Sequence, residues 1–439
     1  MKKSVDSILK CRWLVPVRPA HKIYEHSGVV IHRRRILDVG PLENIKRQYE
    51  AKHEVDLSEH LLIPGLVNSH THAAMSLFQG IADDMEMTDW LKKRIWPLEN
   101  RWISPDFVRI GSQLAIAQML KSGTTCFNDM YFFADHTMAV VEECGIRASL
   151  GLIVIDAETA WARDLDEYLS KAGQLHDASK QYSLVSTAFA PHAPYSLSDD
   201  SLQNVRVRAE ELGLPIHIHL QETAQEVTQS LELFGKTPIQ RLKQLELLSP
   251  SLQAVHVTQC NEEDLHTLAE YGVHILHCPE SNLKLASGFC PVTELKQRGI
   301  NVALGTDGSA SNNDLDMLGE MRTAALLAKG VSQDATAVDA FSALEMATIN
   351  GAKALGMEEE IGSIEPHKSA DLVALHLDNI ETQPLYSALS QIVYSAGRHL
   401  VTDVWVAGDR IVADRKLTRM DETTLLREVR HWQTQLNSN

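Results

Sequence analysis

The sequence predicts a (β/α)8 barrel of the TIM type that carries a small β-sandwich built by both chain termini. Three observations predict it. Strand-like and helix-like patterns alternate through the middle of the chain, eight strand candidates can be counted in that alternation, and each terminus carries short strand patterns too few to bury a sheet alone. The expected division is 1–60 for the N-terminal part of the sandwich, 61–365 for the barrel, and 366–439 for the C-terminal part with a terminal helix.

The elements follow in order. Strand patterns at 8–17, 28–32, 36–39 and 54–57 find their partners at 371–375 and 402–412, the latter an apolar alternation turned at Gly408-Asp409. The first barrel strand is the run Pro64-Gly65-Leu66-Val67-Asn68-Ser69-His70-Thr71-His72, broken from its predecessor by Pro and Gly. Seven more strands are expected at 124–128, 148–155, 185–190, 216–220, 254–258, 274–278 and 302–306. Ser104-Pro105 starts a helix that stops near Gly123, and Ser198-Asp199-Asp200 starts one that stops near Gly213. The Ala-rich stretch 335–355 reads as helical, with Gly351 marking a break.

Composition narrows the partners. The chain has 439 residues, 44% hydrophobic and 23% charged, which is ordinary for a globular protein and long enough for such a barrel. Lys and Arg number 41 against 58 Asp and Glu, and the resulting charge of -17 argues against a nucleic-acid partner. Cys11, Cys126, Cys144, Cys260, Cys278 and Cys290 form no C-x-x-C pair, so neither a disulfide framework nor a cysteine zinc site is expected, and a reducing, cytoplasmic compartment fits. Met1-Lys2-Lys3 opens like a leader, but Asp6 and Lys10 interrupt the apolar stretch, and no run approaches the roughly 18 residues of a membrane span.

The chemistry gathers at strand ends. His70 and His72, at i and i+2, lie on one side of a strand, and two neutral imidazoles aimed at one point suit a metal. In the fifth strand His217 and His219 face the same way. His219, nearer the mouth and three residues before Glu222, is taken as the ligand, with His217 the alternative. That spacing would point Glu222 away on a continuing strand, so the chain must turn there. His256 ends the sixth strand and Asp307 ends the eighth within Gly305-Thr306-Asp307-Gly308. A barrel mouth brings these ends around one centre, giving His70, His72, His219 and Asp307 to one divalent metal and leaving His256 and Glu222 for proton transfer. Zinc suits the donors, and iron accepts the same set.

These motifs together resemble the amidohydrolase superfamily over essentially the whole chain, including Gly362-Ser363-Ile364-Glu365-Pro366 and Ala370-Asp371-Leu372-Val373. Trp90-Leu91 through Ile95-Trp96-Pro97-Leu98-Glu99, with His277-Cys278-Pro279-Glu280-Ser281-Asn282, look like the 5'-methylthioadenosine/S-adenosylhomocysteine deaminases. The fourth strand ends Ala190-Pro191-His192, without the lysine that bridges two metals in dinuclear members, so the resemblance implies a mononuclear site.

The implied reaction is hydrolytic deamination of 5'-methylthioadenosine, with S-adenosylhomocysteine or adenosine as further substrates. His256 and Asp307 would take a proton from water activated at the metal, and Glu222 would protonate the ring nitrogen beside the attacked carbon. Glu99 is expected on the ribose, because one carboxylate accepts from two neighbouring hydroxyls, and His192 on purine or ribose. Trp96 is expected in the pocket wall, and Arg163 is the basic residue after the third strand that would reach an amino-acid tail. Scarcity of basic residues there leans toward methylthioadenosine. The rival readings are a guanine-type or triazine hydrolase on the same fold and a non-catalytic scaffold. Glu222 and Glu99 favour the ribosyl deaminase, and no metal ligand is lost. The expected partner is a small nucleoside, and a homo-oligomer is expected.

Overall fold

The computed structural model describes residues 2–438, so Met1 and Asn439 lie outside the described residues. Eight parallel strands follow one another around the barrel in chain order: Leu66–Thr71, Thr124–Asp129, Arg147–Val154, Val185–Pro191, Ile216–Leu220, Leu252–His256, His274–His277 and Val302–Leu304. Helices cover their outer faces, so the strands are buried on both sides and read as continuous apolar runs. Ser104 caps the helix Pro105–Lys121 by accepting from the Phe107 N–H, with Pro105 at its first position.

Side chains and loop amides close the ring between the first and eighth strands. The Asp307 N–H donates to the His70 carbonyl at 3.0 Å, the Ser69 hydroxyl to the Leu304 carbonyl, and Asn68 exchanges hydrogen bonds with Thr306 at 2.8 and 3.0 Å. Below the mouth, Asn128 donates to the Ser69 carbonyl and to Gln253. These bonds answer the Asn68 and Ser69 side chains and the side-chain N–H of Asn128.

The termini build one eight-stranded mixed sheet. Lys3–Leu14, Tyr24–His32, Arg35–Pro41 and Tyr49–Pro64 come from the N-terminal side, and Leu372–His376, Val401–Val406, Asp409–Ala413 and Lys416–Leu417 from the C-terminal side. The two halves meet where Tyr49–Pro64 pairs antiparallel with Leu372–His376. From there the chain passes through Gly65 into the first barrel strand. A Cβ at Gly65 would sit 1.9 Å from Thr125 Oγ1, so only glycine fits this crossing.

Two expectations shift. The sixth strand stops at His256, because His256 and Val257 take left-handed backbone angles, φ 72° and 49°. The 335–355 stretch is two short helices, Ala340–Met346 and Ile349–Ala354, and Gly351 lies inside the second. The break falls at Thr348, whose hydroxyl bonds back to the Leu344 carbonyl at 2.6 Å, while the Ala347 carbonyl is freed to accept from the first barrel strand at Val67 N, 2.9 Å away. Pairing that strand takes precedence over one long helix.

Sheet and barrel are joined by Asp371. Its carboxylate accepts two hydrogen bonds from Arg147, at 3.1 and 3.2 Å, and one from the Ala407 N–H at 2.7 Å. The side chains are 13% and 1% exposed for Arg147 and Asp371. Asp371→Ala strands a buried guanidinium and is expected to cost about 3–5 kcal/mol, read by urea unfolding. A loss below about 1 kcal/mol would remove this pair as the joint.

Candidate active site

The barrel mouth collects groups that are distant in sequence. His70 and His72 end the first strand, His219 stands near the end of the fifth, and Asp307 follows the eighth. Their donor atoms all lie within 4.8 Å of one another. Asp307 Oδ1 is 3.3 Å from His70 Nε2 and 3.2 Å from His72 Nε2, and His219 Nε2 is 3.3 Å from His70 Nε2. Ligand bonds of about 2.0–2.2 Å in a tetrahedral arrangement separate donors by roughly 3.3–3.6 Å, so the set fits a divalent metal.

The other ring nitrogen of each histidine is already engaged. His72 Nδ1 donates to the Met130 carbonyl at 2.6 Å and His219 Nδ1 to the His192 carbonyl at 2.7 Å. His70 Nδ1 lies 2.9 Å from His217 Nε2. With Nδ1 occupied, each imidazole presents Nε2 to the centre. His217 thus stands behind His70, while His219 Nε2 faces the candidate donor set. Gly305 keeps the eighth strand close, since a Cβ there would come 2.7 Å from the His70 amide nitrogen.

Electrostatics match this donor set. Burial drives the pKa of His219 well down and that of His70 to about 3, so both are neutral. Burial opposes the charge of Asp307, but His70 and His72 beside it hold the carboxyl well below its usual range. At His72 burial acts in the same direction as at His70, yet Asp307 and the Met130 carbonyl outweigh it and raise the pKa to about 9. A metal bound there would displace a proton from His72.

Glu222 reaches the site because the chain turns sharply after the fifth strand. Gln221 adopts φ 48°, and the Glu226 carboxylate accepts the N–H of Gln221 at 3.1 Å and of Glu222 at 2.8 Å. Thr223 caps the helix Ala224–Phe234 that carries Glu226. Thr223-x-x-Glu226 has the form of a capping box, a legible signal, but the glutamate reaches back past the cap to clamp the turn. Glu222 Oε1 accepts from Ser287, and Oε2 stands 3.6 Å from His256 Nε2. Burial and the Asp307 charge lift the Glu222 pKa to about 8, while burial lowers His256 to about 4. Asn282 lies 2.9 Å from His256 Nδ1.

These groups face a cavity of about 300 Å³. Glu99 and His192 line it as expected. Tyr131, which the sequence did not single out, donates to Glu99 at 2.9 Å, and burial lifts the Glu99 pKa to about 7. Burial lowers His192 to about 4. Trp96 stands at the rim, 36% exposed. Arg163 does not join them: its side chain is 77% exposed and bonds Glu167 one helical turn on, at 2.8 Å, outside the cavity. Contrary to the expectation, Arg163 is not placed to meet a substrate tail in the cavity.

The chain matches the amidohydrolase family over residues 61–411. It is 46% identical, over 99% of its own length and 98% of the relative's, to a protein of Teredinibacter turnerae named 5-methylthioadenosine/S-adenosylhomocysteine deaminase. A relative of that name in Saccharophagus degradans is also 46% identical, covering 100% and 98%. Among solved structures, a zinc-bound crystal structure described as an adenosine deaminase from Xanthomonas campestris superposes with a TM-score of 0.99 at 47% identity, covering all of both chains.

Removal of His217 tests the orienting contact. His217→Ala is expected to weaken metal retention about 10–100-fold, read as metal content after dialysis against graded chelator. Unchanged retention would assign the orientation of His70 to other contacts.

Proposed function

The chain belongs to the amidohydrolase family, and from that premise we propose that it deaminates 5'-methylthioadenosine at C6, using a single zinc ion. The observation that carries this reading is Glu222, a buried carboxyl with a pKa near 8, beside His256 and next to the metal donors. It holds a proton at neutral pH, which is what the ring nitrogen next to C6 requires. His70, His72, His219 and Asp307 would hold the ion. Bound there, zinc supplies Lewis acidity that brings the pKa of water toward neutrality.

The protons balance on the chain's own residues. Asp307, assisted by His256, takes the first proton of the attacking water as its oxygen bonds C6, while Glu222 gives its proton to N1. Asp307 then passes its proton to the amino group, which leaves as ammonia. The remaining hydroxyl proton restores Glu222, and the product keeps the proton on N1. Ser281 and Ser311 each donate to Asp307 Oδ2 at 2.7 Å, and the Gly308 N–H to Oδ1 at 2.8 Å, which fixes the carboxylate while it carries the proton.

Ribose recognition falls to Glu99, with His192 against purine or sugar. Free bases and triazines offer no pair of hydroxyls to a carboxylate, which disfavours the guanine and triazine readings. For the 5' tail, the remaining wall is largely apolar, with Met87, Trp90, Leu91, Ile153 and Ile155, and Glu158 is its one further charged side chain. Arg163 and Arg147 are held by Glu167 and Asp371. A methylthio group suits this wall, whereas the carboxylate of S-adenosylhomocysteine meets no cation and a glutamate. The free cysteines suit a reducing cytoplasm.

Ammonia release by the zinc-loaded protein from methylthioadenosine, S-adenosylhomocysteine, adenosine, adenine and guanine tests the reading. Methylthioadenosine should exceed S-adenosylhomocysteine at least about tenfold in kcat/KM. Activity on free bases alone would sink it. Glu222→Gln should keep its zinc and lose about 10²–10⁴ in kcat, and near-full activity in that variant would overturn the proton path.

A further inference from the structure

Glu99 sits on a short helix, Trp96–Trp102, none of whose seven residues is fully buried. The helix continues directly from a π-helical turn, Leu91–Ile95, and so has no capped start of its own. Something else must seat it. On the cavity side Tyr131 holds the Glu99 carboxyl. On the outer side, one turn further along, Trp102 meets the edge of Trp432 from the terminal helix, with ring centroids 6.3 Å apart at 82°.

The terminal helix Glu422–Asn437 is itself anchored at two points. At its start Asp421 accepts from the Thr423 N–H, Glu422 pairs with Lys121 at 2.8 Å, and Leu425 is buried. Near its end Trp432 packs edge-on against Phe107, 5.3 Å away at 89°, and Leu436 joins the same apolar cluster. Lys121 and Phe107 lie at opposite ends of Pro105–Lys121, so the terminal helix runs along that helix as a strut and wedges Trp432 between it and the Glu99 helix. Phe107 is fully buried against Phe78 and offers a fixed surface to push from.

We propose that Trp432 is a positioning residue for ribose recognition: the terminal helix, through the Trp432–Trp102 contact, sets where Glu99 stands in the cavity. This rests on the reading of Glu99 as the ribose ligand. Trp432 makes no contact with the groups that move protons, so its loss acts on binding of the ribosyl moiety rather than on turnover. Edge-to-face aromatic contacts of this kind are each worth a few-fold in an equilibrium, and two are lost together.

Steady-state kinetics with methylthioadenosine and its 2',3'-dideoxy analogue test the proposal, using the full-length zinc enzyme. Trp432→Ala should raise KM for methylthioadenosine about 5–10-fold and leave kcat within about twofold, and KM for the dideoxy analogue should stay within about twofold. Trp432→Phe, which keeps an aromatic edge, should restore most of the KM. In a Glu99→Ala background, Trp432→Ala should add little further. An equal KM rise for both substrates, a fall in kcat alone, or no change overturns the proposal. Should Trp432→Ala fail to fold, a Trp432→Leu variant that still discriminates the two substrates as the wild type does overturns it equally. If the wild type itself treats the two substrates alike, the ribose role of Glu99 fails and takes this proposal with it. Wild-type discrimination that survives in Trp432→Ala overturns this proposal alone.

Discussion

A carboxylate buried among imidazoles persists only where its lone pairs are answered, and the barrel meets that condition at Asp307. Two serine hydroxyls and one backbone N–H address its oxygens, and Oδ1 still faces His70 and His72. Ser281 comes from the short helix Pro279–Lys284 after the seventh strand, Ser311 from the short helix Ser309–Asn312 after the eighth, and the histidines from the first. The Asp307 N–H also closes the barrel seam on the His70 carbonyl. Seam and metal donors are therefore one structure, and disturbing either disturbs the other.

Backbone strain gathers at the same rim. Gln221, His256 and Asp307 are non-glycine residues in the left-handed region, at φ 48°, 72° and 60°. Such conformations cost of order 1–3 kcal/mol each and persist where surrounding contacts over-determine them. At Gln221 the Glu226 carboxylate supplies those contacts, and at Asp307 the serines do. Each turn swings a side chain from the strand direction into the cavity, which an extended strand end could not do.

The cluster of candidate metal donors was legible because strand alternation alone places His70 beside His72, and a parallel barrel gathers strand ends whatever the loops do. The fold was legible for the same reason: apolar runs of strand length recur between helices with readable caps. What escaped depends on contacts between distant positions. Nothing local tells that the Ser281 and Ser311 hydroxyls turn onto Asp307, or that His217 meets His70 from the side. Arg163 misled because proximity in sequence to the third strand does not mean proximity to the cavity: the residue precedes the helix Leu165–Ser179, and Glu167 in its first turn captures the side chain. The 335–355 stretch misled because helix propensity ignores the unpaired Val67 amide that Ala347 must satisfy.

The terminal sheet carries a consequence for how the protein is made. Tyr49–Pro64 lies inside that sheet, with Lys3–Leu14 along one edge and Leu372–His376 along the other. In a chain leaving the ribosome N-terminus first, one edge is filled at once, while the other, flanked by Leu61, Leu62 and Ile63, waits until nearly all of the barrel has been synthesised. An open apolar strand edge recruits foreign strands, so the nascent protein is exposed to aggregation until Leu372–His376 has been made. His70 waits in the same way for Asp307, and the sheet joint at Asp371 is completed later still, after the helices that follow the eighth strand.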